Sequence, residues 1–402
     1  MLIDTSRGFA EHRDQLDALS AYRNYFVNTD PELIYVDGNS LGRLPKTTIP
    51  HMNTMLEQEW GAQLIRSWGI NWYDAPTRVG EKIARLIGAG SNQVIVSDST
   101  TINLYKLAMS ALMMRSGRKK IISDTFNFPS DLYMLQGCCH VLGNQHHIHL
   151  LEPADGIRMD TQTVKDAIDS DTALVLLSHV VFKSGYMYEA KAITEHAHQK
   201  GALVLWDLSH SAGSVPVELD DWQADFAAGC TYKYLNGGPG APAFLYVNKH
   251  IQDEALSPIW GWFGSQAPFN FDLNYLPTEG IQRFLCGTPA ILSLQAIESG
   301  VDILLEAGIP RLREKSIQLS TYLIDLFDAK LAPLGFALGT PREIAQRGSH
   351  ISLRHANAYQ INRALIENMN VIPDFREPDN IRIGLTPLYT SFIEVWELVN
   401  RI

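Results

Sequence analysis

Short apolar runs alternate with amphipathic segments through much of the chain. The apolar runs predict buried strands over 94–96, 120–124, 173–178, 202–207, 226–230 and 243–247. Leu104, Leu107, Ala108, Ala111 and Leu112 recur three or four positions apart, which predicts a helix with one buried face. A second helix, predicted over 189–200, ends at Gly201 and leads into the strand 202–207. This strand–helix–strand order predicts an α/β fold with a mainly parallel sheet.

The length of the chain and the alternation of helical and strand patterns in its C-terminal part predict more than one domain. A chain of 402 residues exceeds one ordinary domain. A helix is predicted over 48–66, and a long helix opens near Pro289, after which helical and strand patterns alternate to the end. We predict an N-terminal segment (1–50) that begins with a helical lead-in and packs with the small domain. A large domain (51–288) and a small C-terminal domain (289–402) follow.

Composition excludes several classes of function. The net charge of −11 leaves no basic excess for nucleic acid or an anionic membrane. Four cysteines do not form a disulfide framework, which fits a reducing cytoplasm. The most apolar run, 173–182, is too short to cross a bilayer, and the N-terminus carries charges instead of a signal core. We expect a cytoplasmic protein that binds neither nucleic acid nor membrane.

An aspartate and a lysine, each following an apolar run, are the candidates for chemistry. Asp207 comes at the end of a predicted parallel strand, where open α/β sheets bind ligands. Lys233 stands between two tyrosines and is followed by glycines that allow close backbone approach. Pyridoxal 5′-phosphate (PLP) requires such a pair, because a lysine holds the cofactor and a carboxylate partners its pyridine nitrogen. A surface lysine and a helix-capping aspartate would give the same local pattern.

Other residues allow two interpretations each. Thr100 and Thr101, after a strand and at a helix start, would bind a phosphate or simply cap the helix. Arg382, in an apolar strand, requires an anion, which is either an internal carboxylate or a substrate carboxylate. Trp68 would bind an aromatic substrate or fill an interface. The histidines of 145–149 lack a metal-ligand pattern, so we predict no metal.

Several longer motifs, in order along nearly the whole chain, resemble bacterial kynureninases. They are Tyr35-Val-Asp-Gly-Asn-Ser-Leu-Gly42, Leu64-Ile-Arg-Ser-Trp68, Phe128-Pro-Ser-Asp131, Trp206-Asp-Leu-Ser-His210, Thr231-Tyr-Lys-Tyr-Leu-Asn-Gly-Gly-Pro-Gly240, Gly261-Trp-Phe-Gly264 and Arg382 with Thr386-Pro-Leu-Tyr389. The resemblance implies the PLP fold type I of the aspartate aminotransferases, with a mainly parallel, seven-stranded-type sheet in the large domain and a smaller α+β domain. It also implies a homodimer with shared active sites.

The implied activity is that of the kynurenine pathway of tryptophan catabolism and NAD biosynthesis. Kynureninases hydrolyse the Cβ–Cγ bond of L-kynurenine, or of 3-hydroxykynurenine, to anthranilate, or 3-hydroxyanthranilate, and L-alanine. By matching motif, Lys233 is the Schiff-base lysine and Asp207 the partner of the pyridine nitrogen, with Tyr232 as the third catalytic residue.

The remaining roles follow from the same resemblance. The implied cofactor pocket comprises Thr100, Thr101, Phe128, Pro129, Ser130, Asp131, Ser178, Asp207, His210, Tyr232, Lys233, Trp262, Tyr275 and Thr288. In the family, Trp262 and Thr288 match positions drawn from the partner subunit, and Tyr275 is expected with them. The implied substrate-binding residues are Asn39, Ser40, Trp68 and Arg382.

Two departures leave the substrate open. Ser265 stands where relatives commonly have His, and Val181 stands where they often have a polar residue. A hydrolase of a modified kynurenine in a biosynthetic pathway is therefore an alternative. A cysteine desulfurase shares the fold, but that group tends to place His before the lysine, where this chain has Tyr232. A non-catalytic PLP-binding protein is a third alternative on fold grounds alone.

Overall fold

The computed structural model describes residues 4–402. Its strands are β1 (Ile34–Tyr35), β2 (Val94–Val96), β3 (Lys120–Asp124), β4 (His147–Leu151), β5 (Thr172–Ser178), β6 (Leu203–Asp207), β7 (Phe226–Gly229), β8 (Phe244–Val247), β9 (Ala337–Leu338), β10 (His350–Arg354), β11 (Val371–Ile372), β12 (Asp374–Arg376) and β13 (Asn380–Gly384). Its α-helices are α1 (Arg7–Gln15), α2 (Thr48–Thr54), α3 (Ala75–Leu86), α4 (Thr100–Met114), α5 (Pro129–Val141), α6 (Thr161–Ala167), α7 (Ala190–Gln199), α8 (Ile291–Ala307), α9 (Ile309–Leu326), α10 (Ala358–Asn368) and α11 (Phe392–Arg401).

Seven strands form the large sheet, in the order β2-β8-β7-β6-β5-β3-β4. The pairs from β7 to β4 are parallel, whereas β8 is antiparallel to both of its neighbours. The predicted mainly parallel sheet is confirmed, and the single reversed strand returns from the loop that carries Lys233. The carboxyl ends of β3, β5 and β6 therefore meet at one edge of the sheet.

The central strands are buried on both faces, which explains their nearly continuous apolar sequence. Val175 and Val204 lie in one core with α3, α7 and α8. Leu174 and Leu205 point to the opposite face and lie in a second core with α4 and α5. The apolar face predicted for α4 is buried in this second core. The strands are held between two layers of helices, so the edge at their carboxyl ends is rigidly placed.

The C-terminal part forms a separate antiparallel sheet, ordered β12-β13-β10-β9, with its own core. The N-terminal segment joins it, because β1 pairs in parallel with β11 and α1 packs against α11. Side chains of α8 share the core of the large sheet, whereas those of α9 from Leu319 onward share the core of the small one. The division of the chain at 288/289 stays a prediction.

The segment predicted as one helix over 48–66 changes its winding. The α-helix α2 widens into a π-helix over Met55–Gln63 and then tightens into a 3-10 helix over Leu64–Gly69. Leu64 has φ of +56°, a value that no α-helical residue adopts, so the regular winding cannot continue through it. Across residues 4–402, the structure contains no helix that is both long and apolar enough to span a bilayer.

Candidate active site

A cavity of about 670 Å³ opens at the carboxyl ends of β3, β5 and β6, next to the start of α4. Its size and position are those expected for a small-molecule site in an α/β fold. Most of the residues predicted for the site line it, namely Ser40, Thr100, Thr101, Phe128, Ser130, Asp131, Asp207, His210, Tyr232, Lys233, Thr288 and Arg382.

Asp207 is the last residue of β6 and is held by local donors. Its Oδ1 accepts hydrogen bonds from the Ser209 backbone N–H (2.9 Å) and the Ser209 hydroxyl (2.6 Å). Ser178, the last residue of β5, lies with its Oγ 3.3 Å from Asp207 Oδ2. The same hydroxyl lies 2.6 Å from Asn127 Oδ1, so it donates to one of these two acceptors. The carboxylate is therefore fixed in orientation at the cavity wall.

Lys233 reaches the cavity from the loop between β7 and β8. Its Nζ lies 3.1 Å from His210 Nε2. Burial, and then the positive charge of Lys233, hold the pKa of His210 well below its usual range. The imidazole is therefore neutral and accepts from the lysine through Nε2. Its Nδ1–H is a buried donor without a partner among the described residues.

A glycine makes the approach to this loop possible. The Gly42 backbone N–H donates to the Tyr232 carbonyl at 2.8 Å. A Cβ at position 42 would collide with the Lys233 carbonyl, so only glycine fits there. The turn over 37–42 thereby brings Ser40 to the cavity wall.

Asp131, in the first turn of α5, adds a second carboxyl to the cavity. Burial, and then the charge of Asp207, raise the pKa of Asp131 well above its usual range. Its Oδ2 is buried and has no partner among the described residues. Phe128 precedes α5, packs edge-on against Phe182 with ring centroids 5.2 Å apart, and remains 42% exposed. An aromatic face and an unpaired carboxyl oxygen are thus available to a ligand.

The start of α4 provides an anion site. Ser99 caps the helix by accepting from the Ile102 N–H, while Thr100 and Thr101 occupy its first turn and line the cavity. Backbone N–H groups in a first helical turn and the helix dipole favour an anion there. The capping and phosphate interpretations of this motif are compatible, because Ser99 supplies the cap while Thr100 and Thr101 line the cavity.

Arg382, on β13, is fully buried except where it meets the cavity. It donates to the Phe182 carbonyl at 2.6 Å and to Ser40 Oγ at 3.0 Å, and it forms an ion pair with Asp374. Its Nε is buried without a partner among the described residues. Arg382 therefore has an internal carboxylate partner, Asp374, as one of its two sequence interpretations predicted. Its Nε–H remains a donor available to a second anion.

Six of the predicted residues do not line the cavity. Ser178 lies behind Asp207, Pro129 is the first residue of α5, and Asn39 is buried in the turn over 37–42. The others are Trp68, Trp262 and Tyr275. Trp68 lines a separate apolar cavity together with Trp60 and Trp72. Trp262 is 38% exposed, and Tyr275 stacks on Trp260 and donates to the Gly264 carbonyl. Thr288, by contrast, lines the cavity of its own chain.

Sequence reasoning missed several contributors. They are Asn127, Ser209, Phe182, Arg376, Asp374 and Asp98. Ser209 and Asp98 carried a usable signal, because each is a polar residue two positions after the last residue of a predicted strand. The others carried none, since their roles depend on contacts between distant parts of the chain.

The residues present fit PLP. The cavity combines a lysine amine, a carboxylate fixed at a strand end, an aromatic face and a helix start suited to a phosphate. The unpaired Nδ1–H of His210 and the unpaired Oδ2 of Asp131 are the polar atoms that a bound polar ring would satisfy. No cluster of three metal-ligating side chains occurs between residues 4 and 402.

The sequence is similar to those of known proteins over nearly its whole length. A kynureninase from Pseudomonas fluorescens is 42% identical over 400 residues, which cover 98% of this chain and 94% of the relative. The chain belongs to the kynureninase family. A kynureninase from Burkholderia mallei (strain SAVP1) is 41% identical over 395 residues, with 97% and 92% covered. The family described as the kynureninase C-terminal domain matches residues 312–402.

Solved structures of other enzymes share the fold of this kynureninase family member. A cysteine desulfurase from Thermococcus onnurineus NA1 superposes with a TM-score of 0.78 at 20% identity, covering 92% of this chain and 93% of that one. A mutant of the protein C-DES, with glycine covalently linked to its PLP cofactor, superposes with a TM-score of 0.80 at 18% identity, covering 94% and 98%. At these identities the likeness shows the fold alone, and it confirms the predicted PLP fold type I.

Proposed function

We propose that this protein is a PLP-dependent kynureninase that cleaves the Cβ–Cγ bond of L-kynurenine to give anthranilate and L-alanine. The observation that carries the proposal is the convergence of Lys233, Asp207 and the start of α4 in one cavity of a kynureninase family member. The enzyme would act in the kynurenine pathway of tryptophan catabolism. A cysteine desulfurase is not supported, because those enzymes share only the fold.

The chain's own groups can be given roles around the cofactor. Bound PLP supplies the electron sink that makes the substrate's Cβ–Cγ bond breakable. Lys233 would hold the cofactor through its amine, and the same amine would serve as the base for the Cα proton of the substrate. Asp207 would keep the ring nitrogen protonated. Phe128 would offer its aromatic face to the ring, and the first turn of α4 would hold the phosphate.

Substrate groups would be held from the small-domain side. Arg382 and Ser40 bind the α-carboxylate, with Asn39 supporting the turn that carries Ser40. Trp68 is proposed for the aryl end, although it lines a neighbouring cavity in the single chain. Asp374 holds the Arg382 guanidinium in an ion pair, and the unpaired Nε is a donor that the carboxylate could use.

Arg382→Lys is expected to lower kcat/KM by roughly ten- to hundredfold with little change in PLP content, because an ammonium cannot reproduce the guanidinium fork. Steady-state kinetics and cofactor absorbance measure the two quantities. Arg354→Lys is the matched control, since Arg354 pairs with Asp379 in the same small sheet and outside the cavity. If Arg382→Lys fails to fold while Arg354→Lys folds, Arg382 is a structural ion pair with Asp374 and the substrate role is wrong.

Tyr232→Phe is expected to release the aryl acid in the first turnover but to form alanine slowly afterwards. Burial raises the pKa of Tyr232, so its phenol stays protonated and can donate to Cβ of the alanine fragment. A positioned proton donor contributes about 10²- to 10⁴-fold to its step. Rapid mixing at saturating PLP follows both products. Equal slowing of both would leave Tyr232 as a cofactor anchor, and Tyr234→Phe, on the other side of Lys233, should slow neither.

Substrate choice is tested by incubation with kynurenine and with 3-hydroxykynurenine, followed by fluorescence of anthranilate and its hydroxy analogue. Ser265 lies in the loop that pairs with Pro277, and Val181 is buried outside the cavity wall. Activity on neither substrate would favour the modified-kynurenine alternative.

We also propose a cytoplasmic homodimer with shared active sites. In support, the loop over 260–276 carries exposed apolar side chains, namely Trp260, Trp262, Phe269, Phe271, Leu273 and Leu276. A partner subunit covering this loop would bring Trp262 and Tyr275 to a cofactor pocket. All four cysteines are free, in keeping with a reducing compartment. Light scattering that shows a monomer at assay concentration would refute the dimer.

A further inference from the structure

Lys106 is a fully buried lysine on α4 that none of the roles above uses. Its Nζ lies 2.5 Å from Asp98 Oδ2 and 2.6 Å from the Phe284 carbonyl oxygen. The Lys106 side chain has no exposed surface, whereas that of Asp98 is 35% exposed and lines the active-site cavity. The lysine therefore connects two walls of the cavity from behind.

The position of Asp98 raises an electrostatic problem. This residue forms the turn directly before α4, two positions from Thr100, where the helix start is open to an anion. An unneutralised carboxylate there would repel a phosphate dianion in a partly desolvated site. A carboxylate at a phosphate site requires a compensating cation, and Lys106 is the cation that contacts it.

We propose that Lys106 is a positioning residue that neutralises Asp98 and so allows the α4 start to accept the phosphate of PLP. This inference rests on the proposed function, which places PLP in the cavity. The hydrogen bond from Lys106 to the Phe284 carbonyl also fixes part of the cavity wall, because Phe284 directly precedes the cavity-lining residues 285–290. One buried ammonium thus balances the charge at the helix start and also contacts the residue that precedes a second part of the cavity wall.

The test measures cofactor binding to the cofactor-free protein, by absorbance titration with PLP and, separately, with pyridoxal, which lacks the phosphate. Lys106→Met is expected to weaken PLP binding by about ten- to hundredfold, less than for a fully buried charge pair because the Asp98 side chain is 35% exposed. Pyridoxal binding should change by less than about threefold, because only the phosphate meets Asp98. A merely structural lysine would weaken both ligands alike.

Two further variants separate charge from packing. Asp98→Asn combined with Lys106→Met removes both charges and should return PLP binding to within about threefold of the unaltered protein. Lys315→Met is the matched control, because Lys315 is also buried and pairs with a single carboxylate, Asp17, outside the cavity. It should lower stability and leave PLP binding unchanged.

Each outcome decides the proposal. Unchanged PLP binding in Lys106→Met, or no recovery in the double variant, overturns it. If Lys106→Met does not fold, Asp98→Asn alone decides, because it keeps both Lys106 and its contact with Phe284. That variant should bind PLP at least as tightly as the unaltered protein, and tenfold weaker binding overturns the inference. If the unaltered protein does not bind PLP at all, the proposed function itself fails.

Discussion

Lys233→Ala is expected to abolish kynurenine hydrolysis, with a loss of about 10⁴-fold or more, the scale of removing a covalent catalytic group. The amine is both the attachment point of the cofactor and the base for the Cα proton, so one substitution removes two functions. The Lys233 amine lies 3.1 Å from the neutral His210 and forms no ion pair within residues 4–402, so it is available for both functions. The variant should still bind PLP through the start of α4, but borohydride should no longer fix the cofactor to the protein.

Peptide mapping after borohydride treatment checks the attachment site directly. Lys249→Ala is the control, because Lys249 is exposed just after β8 and lies outside the cavity. It should keep both turnover and the borohydride-fixed cofactor. A cofactor fixed to any lysine other than Lys233 in the unaltered protein would show that the assignment is wrong.

The sequence predicted the large sheet well because its strands obey a local rule. A parallel strand between two helix layers is buried on both faces and therefore has a nearly continuous apolar sequence, as β5 and β6 do. The end of such a strand is where ligands bind, so Asp207 could be singled out before any contact was known. Lys233 stood out because glycines follow it, and the loop that carries it does approach the turn over 37–42 closely.

What the sequence did not predict depends on contacts between distant segments. Arg382 was recognised as needing an anion, but Asp374 as its partner follows from the antiparallel pairing of β12 with β13. The cavity wall over 285–290 belongs to an irregular segment without periodicity. The break between the π-helix and the 3-10 helix falls at Leu64, whose positive φ no pattern of apolar residues signals.

The residues that local rules identify differ in function from those that only the folded structure reveals. The residues that bear the chemistry, Lys233 and Asp207, sit at positions that local rules identify. The partners of two other charged residues of the cavity wall, Asp374 beside Arg382 and Lys106 beside Asp98, are identified only by contacts in the folded structure. Substitutions at Lys233 or Asp207 should therefore remove a catalytic step. Substitutions at Asp374 or Lys106 should instead weaken the binding of substrate or cofactor.

Asp207→Asn is expected to reduce turnover by about 10²- to 10⁴-fold while the protein still folds and binds PLP. The substitution keeps the shape of the side chain. The amide oxygen can still accept from the Ser209 N–H and hydroxyl, and the amide NH₂ can donate to Ser178 Oγ. What is lost is the negative charge that keeps the pyridine nitrogen protonated, and with it the strength of the electron sink.

The comparison variant for this prediction is Asp225→Asn. Asp225 is also a buried carboxylate next to β6, but it accepts from the Val204 N–H near the start of the strand, away from the cavity. That variant should lose stability, measured by thermal unfolding, and keep the turnover of the folded fraction. Turnover per bound cofactor is the deciding measurement for Asp207→Asn. If it stays within about threefold of the unaltered enzyme, the ring nitrogen does not depend on this carboxylate. Asp131, the second carboxyl that lines the same cavity, then becomes the group to examine.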